Sequence, residues 1–271
     1  MGLYLAVAGG GFRRYATYRA ATAAGVVANT AFGFIIAYTY LALWHTRPHL
    51  GGYDATSALT FAWIGQALLA TVALWGGGFQ NDLESRIRSG DIAVDLARPV
   101  DQQSWWLATD LGRAGYELLV RGSVPMLAGA LAFHLRFPQG SAATVLLTVG
   151  AFLLSVLLAV VVSFALRYLV ALAGFWVVDT MGLRQLLMVS GMVLSGMLLP
   201  LQLFPPTMAR IAEALPWSGV LQIPADVLLQ RRVGAALAAG LGQQLAWAAV
   251  LLALGRLVQS TAVRKVVLQG G

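Results

Sequence analysis

Long apolar runs dominate the chain: Ala20–Trp44 and Ala142–Leu166 carry no charged residue at all, and Ala235–Leu257 carries only Arg256, next to its end. A helix needs roughly 20 apolar residues to cross about 30 Å of hydrocarbon, so each run is long enough to span a bilayer. This constrains the fold more than anything else in the chain. Lipid supplies no hydrogen bonds to the backbone, so such segments must be helical and packed as a bundle. Hydrophobic residues make up 59% of the 271 and charged residues only 11%, more apolar surface than one soluble core can hide.

The same reading places six spans: 20–44, 57–78, 114–134, 142–166, 183–203 and 235–257. Arginine supplies almost all of the +7 net charge, and Lys265 is the only lysine. A basic soluble protein would suggest nucleic acid. In a membrane protein the excess points to loops facing anionic lipid, and no nucleic-acid partner is expected. With the N-terminus inside, cytoplasmic segments hold Arg13, Arg14, Arg19, Arg86, Arg88, Arg98, Arg113, Arg167, Arg184, Arg256, Arg264 and Lys265. Outer segments hold Arg47, Arg136, Arg210, Arg231 and Arg232, so the bias puts both termini in the cytoplasm. No cleavable signal peptide is expected: Leu3–Ala8 is short and no basic stretch precedes it. Residues 1–19 read as an interfacial helix that Gly9-Gly10-Gly11 interrupts. Cysteine is absent, which excludes disulfide and thiolate chemistry.

Two connections are long. The outer one, 204–234, is mostly apolar and is cut by Pro205, Pro206, Pro216 and Pro224 into short helices that lie on, or re-enter, the outer leaflet. The inner one, 79–113, is a charged island. Asp82 and Arg86, and Glu84 and Arg88, are acid-before-base pairs at i,i+4, the favourable order on a helix. Ser89-Gly90 stops that helix. Ile92, Val94 and Leu96 then alternate with Ala93, Asp95 and Ala97 in a short extended or bent piece, which Arg98-Pro99 ends. A solvated loop with self-satisfied charges is the simpler alternative.

Beyond the island, Asp110, Arg113, Glu117 and Arg121 line one helical face with alternating sign. Gly122–His134 is too short to cross the bilayer, so part of this ladder reaches hydrocarbon depth, where an unpaired arginine costs roughly 2.5–3.5 kcal/mol. The ladder stiffens the helix, or Arg121 snorkels to the headgroups; a proton relay is a third reading. Gly25, Asn29 and Gly33, and Gly191 and Ser195, are small-residue stripes that suit close helix contact, within one chain or between two subunits. Trp63, Gln66 and Trp75 of the second span and Met188, Met192 and Met197 of the fifth are candidates to line a substrate path; ordinary packing is the alternative. His45, His49 and His134 show no metal spacing, and no metal site or catalytic group is expected.

The stretch from Arg88 through Asp101 (RSGDIAVDLARPVD) resembles the cytoplasmic loop of ABC-2 type transporter permeases, the membrane subunits of bacterial ATP-driven exporters. Phe175-Trp176 followed by Asp179, Gly182 and Leu183 resembles the family's segment before the fifth span. Leu215-Pro216, Ile223-Pro224 and Leu228 resemble its segment before the last span. Ala97 departs from the family, which has a large apolar residue there.

The resemblance implies an all-α, six-span, type V exporter-like bundle with a cytoplasmic coupling helix and short outer-leaflet helices before the last span. It also implies that Glu84, Arg86, Arg88, Asp91, Asp95, Arg98 and Pro99 dock a separate ATPase. The chain lacks the G-x-x-x-x-G-K-[ST] phosphate loop, so no cofactor is expected on it and Mg-ATP belongs to the partner. The implied assembly has two ATPase copies and a second permease, identical or paralogous, set in membrane lipid of the bacterial inner membrane. Transport would be by alternating access. The cargo, whether drug, peptide, lipid or glycan, is open. An ion-coupled secondary transporter would want buried carboxylates, for which only Glu117 stands. An integral membrane enzyme would want a reactive cluster, for which Asp91 and Asp95 are the nearest approach.

Overall fold

The computed structural model describes residues 2–264; Lys265 lies outside them. No strand occurs among the described residues. Helix α1 is Gly2–Thr17, α2 Arg19–Thr46, α3 Ala55–Thr71, α4 Phe79–Ser89, α5 Ile92–Leu96, α6 Gln102–Tyr116 and α7 Ser123–Ala132. Then follow α8 Ala142–Leu172, α9 Met181–Leu194, α10 Pro206–Ala214, α11 Gln222–Leu228 and α12 Ala235–Val263. Three helices are long and apolar enough to cross a membrane: α2, α12, and α8 with the turn that extends it to Phe175. At 1.5 Å per residue they run about 42, 44 and 51 Å.

The other expected spans have different shapes. Helix α3 ends at Thr71, short of the expected Gly78. Ala73 turns to a positive φ of 47°, and Gly76, Gly77 and Gly78 follow with positive φ, a region glycine enters without strain. Helix α3 is enclosed along nearly its whole length. Helices α6 and α7 form one rod joined by a π-helical stretch, Glu117–Gly122. Pro125 accounts for the widened register: it has no N–H to give the Arg121 carbonyl, and its ring crowds that oxygen. Helix α9 stops at Leu194, and the chain continues irregularly through Pro200.

The expected break at Gly9-Gly10-Gly11 does not occur; α1 runs straight through it. Of the three, Gly11 serves packing, while Gly9 and Gly10 face open space. A Cβ on Gly11 would stand 2.5 Å from the Thr109 carbonyl oxygen, and one on Gly112 of α6 would stand 1.9 Å from that of Ala8. Two helices touching backbone to backbone leave no room for a side chain, and that contact supports α1 against the glycine penalty.

Two apolar cores lie along the bundle. Phe79, Trp106, Phe164 and Tyr168 belong to one, and Trp63, Tyr40, Trp44, Tyr53 and Phe61 to the other. The first sits towards the end that carries α1, α4 and α5. The second sits towards the end that carries α11 and the 47–54 loop. The last turns of α12 reach the α4 end as well, where Gln103 donates to the Leu252 carbonyl (3.0 Å) and the Tyr168 hydroxyl meets Gln259 at 2.8 Å.

Candidate functional site

The island folds as a helical hairpin. Helix α4 is closed by Gly90 in the left-handed conformation (φ 83°). The 92–96 segment is the short helix α5, not an extended piece. Alternation suggested a strand, but Ile92 and Asp95 face inward at i,i+3, a helical spacing, while Val94 is exposed.

The expected i,i+4 pairs do not form either. Asp82 is taken by Arg14 of α1. Glu84 accepts from Gln80 (2.9 Å) and faces Arg184 of α9 at 3.6 Å. Arg86 reaches Asp95 at 2.8 Å, and Arg98 meets the same carboxylate at 3.4 Å. Local pairs on an exposed helix contribute only about 0.2–0.5 kcal/mol, so a partner on a packed neighbour displaces them. The Gln102 side chain donates to the Asp95 carbonyl (2.6 Å), and Asp101 caps α6 through the Ser104 amide (2.8 Å). Inward residues of the hairpin are thereby tied to α1, α9 and α6. Arg88, Asp91, Val94, Arg98 and Pro99 remain exposed.

The ladder separates into two groups. Asp110 is fully buried and shared by two arginines, Arg113 Nε at 2.7 Å and Arg167 at 2.5 Å. Arg113 also donates to the carbonyls of Ala70 (2.6 Å) and Thr71 (2.9 Å), and the Ser163 hydroxyl donates to that of Val72. These carbonyls lie at the C-terminal end of α3, where a cation is also favoured by the helix dipole, and that of Ala70 accepts from the Ala73 amide as well. Arg167 lies over the Phe79 ring, 4.9 Å from its centroid. One polar cluster thus joins α3, α6, α8 and the start of α4. Further along, Glu117 and Arg121 pair at 3.3 Å across the π-helical stretch. Arg167, expected at the cytoplasmic boundary, is instead among the most buried side chains. Its signal in the sequence is weak: a lone arginine near the end of an apolar run, with an Asp110 that already has Arg113 as a local partner.

The remaining candidates divide between packing and cavity. Trp63 is fully buried between Gly33 and Gly129, with Phe34 edge-on at 5.3 Å. Gln66 is buried, and Met192 and Met197 pack on the core. Trp75 and Met188 do line one cavity of about 260 Å³ between the end of α3 and α9, with Gln80, Asn81 and Arg184. Gly25 faces the Arg121 guanidinium, Gly33 faces Trp63, and Gly191 faces Leu74 and Trp217. Asn29 and Ser195 are buried in the same chain. These stripes are occupied within the chain, so a second subunit would have to use other surfaces.

Sequence reasoning missed a polar network at the opposite end. Asp226 of α11 accepts from the Tyr53 hydroxyl (2.9 Å) and is flanked by Arg231 (3.5 Å) and Arg232 (3.6 Å). Arg231 stacks over the Tyr53 ring at 3.8 Å and donates to the Gly52 carbonyl (2.6 Å). Helix α11 is therefore sunk into the bundle, with Gln222 through Val227 all buried. The charge count of 204–234 hinted at an outer basic cluster, but nothing local paired it with Asp226.

Among the described residues, no group of three or more His, Asp or Glu side chains is placed to hold a metal. The model of the ABC-2 family transporter protein matches residues 27–270. No curated protein and no solved structure matches.

Proposed function

Because the chain belongs to the ABC-2 family of transporter proteins, we propose that it is the permease of an exporter driven by a separate ATPase. Membership makes it a multi-pass transport subunit that associates with an ABC ATPase. Helices α2, α3, α6–α7, α8, α9 with the chain after it, and α12 are six spans of a bacterial inner membrane, with both termini in the cytoplasm. Two ATPases carrying Mg-ATP dock on the α4–α5 hairpin, and a second permease completes the pore.

The observation that supports this is the division of the hairpin into two faces. Its inner face is tied by ion pairs to α1 (Arg14–Asp82), α9 (Arg184–Glu84) and its own second helix (Arg86–Asp95). Its outer face offers Arg88, Asp91, Val94 and Arg98. A push on the outer face would travel through the ties into α1, α6 and α9 together. The Asp110 cluster carries the motion on to α3 and α8. Alternating access then follows from rocking these helices, and the cavity at Trp75 and Met188 opens to one side at a time.

The test is co-purification with an ABC ATPase co-expressed with this chain. Arg88→Glu combined with Val94→Asp is expected to abolish recovery of the ATPase and substrate-stimulated ATP hydrolysis while the permease itself folds normally. Undiminished recovery and hydrolysis in that double variant would remove the docking assignment.

A further inference from the structure

A second cavity, of about 280 Å³, lies between α1, α2, α3 and the α6 rod, away from the hairpin's outer face. Tyr15, Asn29, Arg113, Glu117 and Arg121 supply its polar lining, and Trp75 and Gly78 bound it on the α3 side. Asn29 is only 5% exposed, yet its amide nitrogen has no hydrogen-bond partner. Burying an amide donor without a partner is unfavourable, so a group of this kind calls for an acceptor in the cavity.

Arg121 is in the same position. Its contacts with Glu117 are long, 3.3 and 3.5 Å, against about 2.7–2.9 Å for a well-made charged hydrogen bond. Its Nε has no properly directed partner. Gly25 makes room for it: a Cβ there would stand 2.2 Å from the guanidinium, so the arginine lies flat against α2 with donors to spare. The charge balance points the same way. Arg113, Arg121 and Arg167 face two acids, Asp110 and Glu117, which leaves one positive charge uncompensated beside the cavity.

We infer that this cavity binds one phosphate group, carried by a membrane phospholipid, with Arg121 and the Asn29 amide as its principal donors and Tyr15 at its edge. A phosphate supplies the acceptors that Asn29 and Arg121 lack and the charge that the cluster is short of. Phe32, on the same stripe of α2 as Gly25 and Asn29, is exposed and offers an apolar track for an acyl chain. The lipid would wedge α1 and α2 against the Glu117 turn. This assignment does not depend on the ATPase docking face.

Native mass spectrometry of the purified permease, delipidated and then titrated with phosphatidylglycerol, tests this. Matched titrations with diacylglycerol and inorganic phosphate, each read also as a thermal shift, separate the sources. Wild type is expected to retain one phosphatidylglycerol per chain and to ignore diacylglycerol. Arg121→Gln and Asn29→Leu are each expected to weaken retention about tenfold or more. Should Asn29→Leu fail to fold, Asn29→Asp preserves shape and repels the anion, with the same loss expected. Arg256→Gln, in the separate groove between α6 and α12, is expected to change nothing. Stabilisation by inorganic phosphate alone, lost in the same variants, would keep the phosphate site but overturn the lipid as its carrier. Equal retention in wild type and all cavity variants, or no response to either phosphate source, would overturn the site.

Discussion

Asp110 and Asp226 sit at opposite ends of the bundle, and each is shared by two arginines. Their surroundings differ. Around Asp110 both guanidinium groups are about as buried as the carboxylate, and Arg113 also binds backbone carbonyls of a third helix. Around Asp226 the two arginines keep about a quarter of their surface exposed, and a tyrosine hydroxyl shares the carboxylate. A third copy of the arrangement, Asp95 with Arg86 and Arg98, has arginines that are largely in water. The chemistry is constant and the dielectric is not. Removing the acid from a buried triad strands charges that cannot be resolvated, whereas removing it from a wet one leaves them hydrated. The Asp110 cluster is therefore a fixed joint between α3, α6 and α8, and the Asp95 cluster is an adjustable tie at the surface.

Asp110→Ala is expected to have the largest effect, a loss of about 3–5 kcal/mol of stability, because two buried cations lose their counter-charge. Thermal unfolding in detergent measures it. A loss under about 1 kcal/mol would mean that water already reaches this cluster, and the comparison would fail. Adding Arg167→Leu to that variant is expected to recover part of the loss, since one stranded charge is then gone.

Asp226→Ala is expected to cost less, about 1–3 kcal/mol, and to loosen α11 locally. Hydrogen exchange of residues 222–230 is expected to rise while the α4 end stays protected. Uniform exchange along the chain would show that the two ends are not separate units.

Asp54→Ala is expected to cost about 1 kcal/mol through loss of the α3 N-cap, where the carboxylate accepts from the Ser57 amide at 2.7 Å. Its slight burial would raise the Asp54 carboxyl, but the Ser57 hydrogen bonds and nearby Arg136 outweigh that and hold it below its ordinary 3.8. A depressed acid contributes stability that is present above its unfolded value and fades as pH falls through the folded one. The cap contribution should therefore persist at neutral pH and vanish on strong acidification. A difference between Asp54→Ala and wild type that is independent of pH would refute the cap.

Asp95→Ala is expected to be smallest, under about 1 kcal/mol, because Arg86 and Arg98 turn to solvent. It should nevertheless lower substrate-stimulated ATP hydrolysis in the complex, since it cuts the tie between α4 and α5. Full hydrolysis in that variant would remove Asp95 from the route by which the hairpin acts.

The parts of this fold that read directly from the sequence have local causes. The apolar runs of α2, α8 and α12 declare themselves by length, Gly90 ends α4 through its own backbone freedom, and the island stands out by charge. The candidate site was legible as a segment but not as a set of contacts. Asp82, Glu84 and Arg86 all had oppositely charged partners one turn away, and the charges they meet instead, Arg14, Arg184 and Asp95, all come from other elements. Arg167 looked like a boundary arginine until Asp110 faced it from a helix 57 residues away in sequence. The three glycines of α1 looked like a break, yet the helix runs on, and Gly11 against Thr109 and Gly112 against Ala8 are what let α1 and α6 touch.

Left to itself, then, the order of residues determined that this is a helical membrane protein with a charged hairpin between two apolar segments, because apolar length and helix-stopping residues act over a few turns. Only the packed bundle decided which charges meet, where α3 ends and which glycines are contacts. Those outcomes depend on which helix faces cross and how far water reaches, and neither is a property of any one stretch of chain.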